Sequence, residues 1–174
     1  MTFRLPLPIQ GVYNCIQGEK KEIRLLQYLL VEISEGRIRD AESAANSMEV
    51  IAATMSDAFR WPISAVDVAC KVDELRSRFE NFIWFKSLRG IQYDAADNRV
   101  MAWPIYWERY DVAHHEPMQN LLFRLKGEPN YALLHEVFTA GRLRRLDVQW
   151  VIARCMGGEA VWCPAPVVYW WGYA

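Results

Sequence analysis

Histidine, glutamate and cysteine are the side chains that most often move protons, hold metals or attack carbonyls, and this chain gathers few of them. His114, His115 and Glu116 are consecutive, and His135 is followed by Glu136. Two imidazoles and a carboxylate on a loop could ligate a metal with His135 and Glu136 as further ligands, or serve a hydrolase as general base. The spacing is unlike H-E-x-x-H, in which positions i and i+4 of a helix aim both imidazoles at one ion. Neighbours on a helix point about 100° apart, so His135 and Glu136 diverge if their segment is helical. The plainer expectation is a solvated His-His pair ahead of a helix starting at Pro117, with His135 half-buried.

The cysteines add little chemistry. Cys15, Cys70, Cys155 and Cys163 are widely and irregularly spaced, with no C-x-x-C pair to suggest structural zinc. A nucleophilic thiolate needs a lowered pKa and a nearby base. Cys155 is expected near a helix C-terminus, where the dipole disfavours a thiolate. All four read as structural thiols. No G-x-G-x-x-G, G-x-x-x-x-G-K-[ST] or G-x-S-x-G occurs. The sequence therefore assigns no catalytic residue, no metal and no cofactor.

Arg142, Arg144, Arg145 and Arg154 are the one basic concentration. A helix-turn-helix over residues 131–154 would place Arg144, Arg145, Gln149 and Arg154 on a recognition helix, making the chain a DNA-binding regulator. Asp147 and the apolar Trp150, Val151 and Ile152 on the same helix argue against that. So does the charge: the net value is −1, with 12 basic and 12 acidic groups in residues 1–90 and 8 and 9 in residues 91–174. Neither half carries the field of a nonspecific nucleic-acid or anionic-membrane binder.

Aromatic content is the strongest signal. Eight tryptophans accompany eight tyrosines and seven phenylalanines, and six of the tryptophans follow residue 100. Such side chains dominate cores and interface hot spots alike. Trp170 and Trp171 are adjacent, and successive side chains on a strand face opposite ways. Both cannot enter one core if that segment is extended. The sequence thus points to a protein-binding module, of the makeup seen in small inhibitors and immunity-type accessory proteins, that covers a partner's surface or associates with itself. Trp103, Trp107, Trp170 and Trp171 are the expected anchors, with Arg144 and Arg145 as a charged rim.

The elements that must carry these residues can be read from periodicity and punctuation. Residues 19–35 predict a helix with Ile23, Leu26, Leu30 and Ile33 inward, widened by Leu25 and Leu29, and Gly36 as its cap. Residues 40–59 predict a second, with Ala41, Ala44, Ala45, Met48, Ile51, Ala52, Met55 and Phe59 on one face. Ser64 and Asp67 suggest a capping box opening a third helix to about Leu88, which buries Val68, Val72, Leu75, Phe79, Phe82 and Ile83. Residues 91–107 predict a hairpin turning at Ala95–Asn98, with Pro104 at an edge or bend. Short helices follow at about 117–126, 130–140 and 143–156, with Gly127 and Gly141 as caps. The tail could add strands over 159–173.

The fold class is therefore α+β and mainly helical: three N-terminal helices packed with shorter C-terminal helices and a small antiparallel sheet. One domain over residues 1–174 is expected, with a possible subdivision near Gly90. No apolar run approaches the roughly 20 residues of a membrane span. The first ten residues, interrupted by Pro6 and Pro8, do not resemble a signal peptide. A cytoplasmic protein with reduced thiols is expected.

Overall fold

The computed structural model describes residues 16, 18–113, 123–139, 143 and 148–156. Its elements are α1 (Glu19–Ser34), α2 (Ala41–Phe59), α3 (Ala65–Ser87), β1 (Ile91–Asp94), β2 (Arg99–Ala102), α4 (Pro104–Ala113), α5 (Tyr131–Thr139) and α6 (Val148–Cys155). This is an α+β, mainly helical fold with a small antiparallel sheet. The chain forms two compact units. One runs to Asp73 and resumes at Gly141; the other is Glu74–Ala140, so that α3 contributes to both. The units divide within α3, whereas the composition changes at Gly90.

In the first unit, α1 buries Leu25, Leu26, Leu29 and Glu32. Positions 25, 29 and 32 follow the i, i+4, i+7 rhythm of one helix face, so the buried stripe is centred one residue from the expected one and ends on a carboxylate. Glu19 and Glu22 sit in the first turn, where negative charge opposes the helix dipole favourably. Gly36 ends the helix at φ 68°, and its amide donates to the Ile33 carbonyl at 3.0 Å.

Asp40 and Ser43 form a capping box for α2: the Ser43 amide donates to Asp40 Oδ1 at 2.8 Å and the Asp40 amide to Ser43 Oγ at 3.0 Å. The Ser43 amide first, and then the Ser43 hydroxyl, which also donates to Asp40 Oδ1 at 2.8 Å, hold the Asp40 carboxyl below the usual aspartate range. The buried face of α2 is Ala44, Ala45, Ser47, Met48, Ile51, Ala52 and Met55, and it packs on α1 and α6. Small residues at its start permit close approach. Ser56 then closes the link to α3, accepting from the Ile63 amide at 2.9 Å and donating to the Ile63 carbonyl at 3.1 Å. The expected box at Ser64 and Asp67 is present: the Ser64 amide donates to Asp67 Oδ2 at 2.8 Å, and the Asp67 amide to Ser64 Oγ at 3.1 Å.

The second unit is aromatic. Phe82, Phe85, Val100, Trp107 and Phe123 form its core, flanked by Trp84, Leu88, Ile91, Tyr93, Ala102 and Tyr131. Phe82 lies 5.1 Å from Phe123 and 5.3 Å from Tyr131 between centroids. The hairpin pairs Ile91 with Ala102 and Asp94 with Arg99, which leaves 95–98 as the turn, as the sequence suggests. Tyr93 and Val100 pair on the inner face; Gln92 and Met101 pair on the outer. Gly127 brings the chain against this turn. Its φ is +70°, and a Cβ there would lie 2.4 Å from the Asp97 carbonyl oxygen. The next amide, of Glu128, donates to the Asn98 carbonyl at 2.9 Å.

Two expectations change. Pro104 does not sit in a strand; β2 stops at Ala102 and Pro104 is the first residue of α4, where a missing N–H costs nothing. Ile83 is exposed and Phe85 takes the buried place, because the core follows Phe79, Phe82 and Phe85 around α3. The sheet has two strands among the described residues; the proposed strands over 159–173 lie outside them.

Three substitutions test this arrangement in urea denaturation. Ser64→Ala is expected to cost about 1 kcal/mol through the lost cap. Gly127→Ala should cost more than about 1 kcal/mol, since φ strain and a backbone collision add. Gly36→Ala, with nothing within 4 Å of its added Cβ, meets only the strain and should cost less. Equal losses at the two glycines would contradict the close approach at Gly127.

Candidate functional site

The turn from β2 into α4 places large apolar side chains outside the second unit's core. Trp103 precedes the helix, and its carbonyl accepts from the Tyr106 amide at 3.0 Å. Once α4 begins, one face must turn inward, and Trp107 takes it at 6% exposure. Its ring lies 6.5 Å from Phe85, and the Arg124 guanidinium stands 4.3 Å over it. Ile105 faces the other way, while the Tyr106 ring between them lies over Gly90. Trp103 is 73% and Ile105 70% exposed, and Met101 on the outer face of β2 is exposed as well. Glu108 and Arg109 continue the exposed face of α4. Of the two tryptophans singled out in this stretch, one presents its ring outward and the other supports the base beneath it.

Arg144, Arg145, Trp170 and Trp171 lie outside the described residues, as do His114, His115 and Glu116. His135 and Glu136 are adjacent and exposed on α5. The His135 ring lies 5.8 Å from Tyr131 and 6.2 Å from Phe79, with the Thr139 hydroxyl 3.4 Å from Nδ1. Among the described residues no three His, Cys, Asp or Glu side chains are grouped to hold a metal. Cys70 and Cys155 are not joined in a disulfide. Burial, with Glu49 adding, pushes the Cys155 thiol up, away from the thiolate form.

On the first unit, Arg154 of α6 lies 3.7 Å from Glu42 of α2. The two line a shallow groove with Ala153 and the exposed Trp150. Val151 and Ile152 turn inward. The suggested recognition helix thus spends one arginine on a carboxylate of its own chain. Trp61, in the link between α2 and α3, is also exposed.

The polar groups that sequence reasoning missed are buried ones. Glu32, 5% exposed, accepts from Arg37 Nε at 2.9 Å, Arg37 Nη2 at 2.6 Å and Ser47 Oγ at 2.8 Å. The Arg37 side-chain bonds come first in holding its carboxyl below the usual glutamate range, against the opposing effect of burial; Ser47 adds to them. Lys71 is buried on α3 with Nζ 2.9 Å from Glu22 of α1. Glu128, 1% exposed, meets Arg78 Nε at 2.9 Å and accepts from the Asn130 amide at 3.3 Å. The signal for Glu32 was its place seven residues after Leu25. Glu128 had none, since its partner is 50 residues away.

Comparison with protein-family models, curated proteins and solved structures finds no match to this chain. None of the described helices is long and apolar enough to cross a membrane.

The Glu32 site makes a signed prediction. A carboxyl whose folded pKa is depressed contributes stability above its unfolded value, about 4.5, and loses that contribution as pH falls through the folded value. Glu32→Gln should therefore destabilise by about 2 kcal/mol at pH 7, and its deficit against the parent should shrink below pH 4.5. Denaturation at pH 7 and pH 3 checks this; a pH-independent deficit would contradict it.

Proposed function

We propose that this chain is a protein-binding module acting in the cytoplasm by covering a surface of its partner, as small inhibitors and immunity-type accessory proteins do. The observation that carries the reading is Trp103, 73% exposed on a base fixed by the buried Trp107. Exposed apolar side chains scattered singly are ordinary; grouped ones mark interaction sites. Met101, Trp103 and Ile105 fall within five residues, at the junction of a strand with a helix. Tryptophan loses little rotamer freedom on docking, which is why it recurs among interface anchors. Glu108 and Arg109 offer charges of both signs at the margin, suited to a polar rim. Arg144, Arg145, Trp170 and Trp171 enter on residue type alone as further contacts.

Fully burying side chains of this size is worth about 1.5–3 kcal/mol each. Trp103→Ser combined with Ile105→Ser should therefore weaken partner binding by roughly 30-fold or more, with a melting temperature close to that of the parent. Capture from source lysate, followed by affinity measurement on the retained protein, tests this, and light scattering tests self-association through the same face. A partner held equally well by the double variant would overturn the assignment of this face. A strictly monomeric chain that retains nothing would overturn the binding reading itself.

A further inference from the structure

Lys86 of α3 sends its ammonium among rings. Nζ lies 3.6 Å from the Tyr93 centroid, 4.4 Å from that of Tyr131 and 6.0 Å from that of Phe82. It also donates to the Tyr131 hydroxyl at 3.0 Å. The rings are mutual neighbours: centroids are 5.3 Å apart for Phe82 and Tyr131, 6.0 Å for Tyr93 and Tyr131, and 6.2 Å for Phe82 and Tyr93. Each is independently fixed. Phe82 is fully buried, the Tyr93 hydroxyl donates to Asn98 Oδ1 at 2.6 Å, and Tyr131 stacks on Phe79 at 6.1 Å. Three anchored rings around one cation are the arrangement by which aromatic cages hold quaternary ammonium groups.

We propose that Phe82, Tyr93 and Tyr131 form an organic-cation site for a methylated ammonium group, and that the chain's own Lys86 is its resident occupant, in competition with an external ligand. The chemistry favours the external group once the cage is open. A primary ammonium is compact and strongly hydrated, whereas methylation spreads the charge over a larger surface that matches ring faces. Lys86 holds its place because it is tethered. Its four-carbon stem is flexible and the residue is only partly buried, so it can withdraw toward water. If the cage stands open for about 1–10% of the time, an external cation binds the parent about 10- to 100-fold more weakly than it binds a chain without this ammonium. The site is independent of the Trp103 surface, and neither proposal needs the other.

The experiment titrates the parent and Lys86→Ala with tetramethylammonium chloride against sodium chloride of equal ionic strength, by calorimetry and by thermal unfolding. Lys86→Ala should bind tetramethylammonium at least tenfold more tightly than the parent and should gain melting temperature from it but not from sodium. Adding Tyr93→Leu should remove both effects. If Lys86→Ala is unfolded in buffer, recovery of its helical signal with tetramethylammonium and not with sodium is the supporting result. Choline and a short peptide bearing one trimethyllysine then separate the sources: tighter choline binding assigns a free ligand, tighter peptide binding a protein-borne one. Equal tetramethylammonium affinity in parent and Lys86→Ala, or no tetramethylammonium-specific effect in the variant, would overturn the proposal and leave the rings as packing alone.

Discussion

The packing of rings on Phe82 is the constraint on which the candidate surface depends. Phe82 touches Phe123, Tyr131 and Tyr93 and shares one core with Phe85, Val100 and Trp107. Through those contacts α3 fixes the hairpin, the start of α5 and, by way of Phe85, the inward face of α4. Truncating a buried phenylalanine costs about 3–5 kcal/mol, while an exposed ion pair such as Arg76 with Glu80 or Arg99 with Asp97 is worth about 0–1 kcal/mol. The shape of the second unit is thus decided inside. Its exposed side chains are free to be chosen for something other than stability.

Polar groups buried in both units serve alignment more than net stability. Lys71 with Glu22 joins α3 to α1, and Arg78 with Glu128 joins α3 to the segment before α5. Desolvating two charges offsets most of what their attraction returns, so a well-packed apolar pair would often do as well. Losing one partner is another matter, because an uncompensated charge stays behind. Such pairs penalise any register of the helices that separates them. Lys86 extends the logic to rings, since its ammonium rests against π faces.

What was legible in the sequence was local. The Ser64–Asp67 box spans three residues, Gly36 needs only its own φ, and the 95–98 turn is marked by Asp and Asn; the box at Asp40–Ser43 is equally local but departs from the usual Ser/Thr–Glu/Gln pattern. The apolar faces of α2 and of most of α3 followed from period alone. Illegible features depended on partners distant in sequence. Proline suits a strand edge and a first helical turn equally, and the contact of Trp107 with Phe85 accompanies the helix at Pro104. The same contact separates an inward Trp107 from an outward Trp103, a distinction residue type does not carry. Lys86, Tyr93 and Tyr131 become neighbours only after α3, β1 and α5 assemble.

The functional reading therefore rests on which indoles meet water, and one measurement addresses that directly. Chains labelled with 5-fluorotryptophan give a fluorine resonance for each ring, assignable by single substitution, whose shift between H2O and D2O reports solvent contact. The account predicts a full isotope shift for Trp103 and almost none for Trp107, matching exposures of 73% and 6%. A Trp103 resonance as insensitive to solvent as that of Trp107 would show its ring already covered, and the proposed contact surface would not exist.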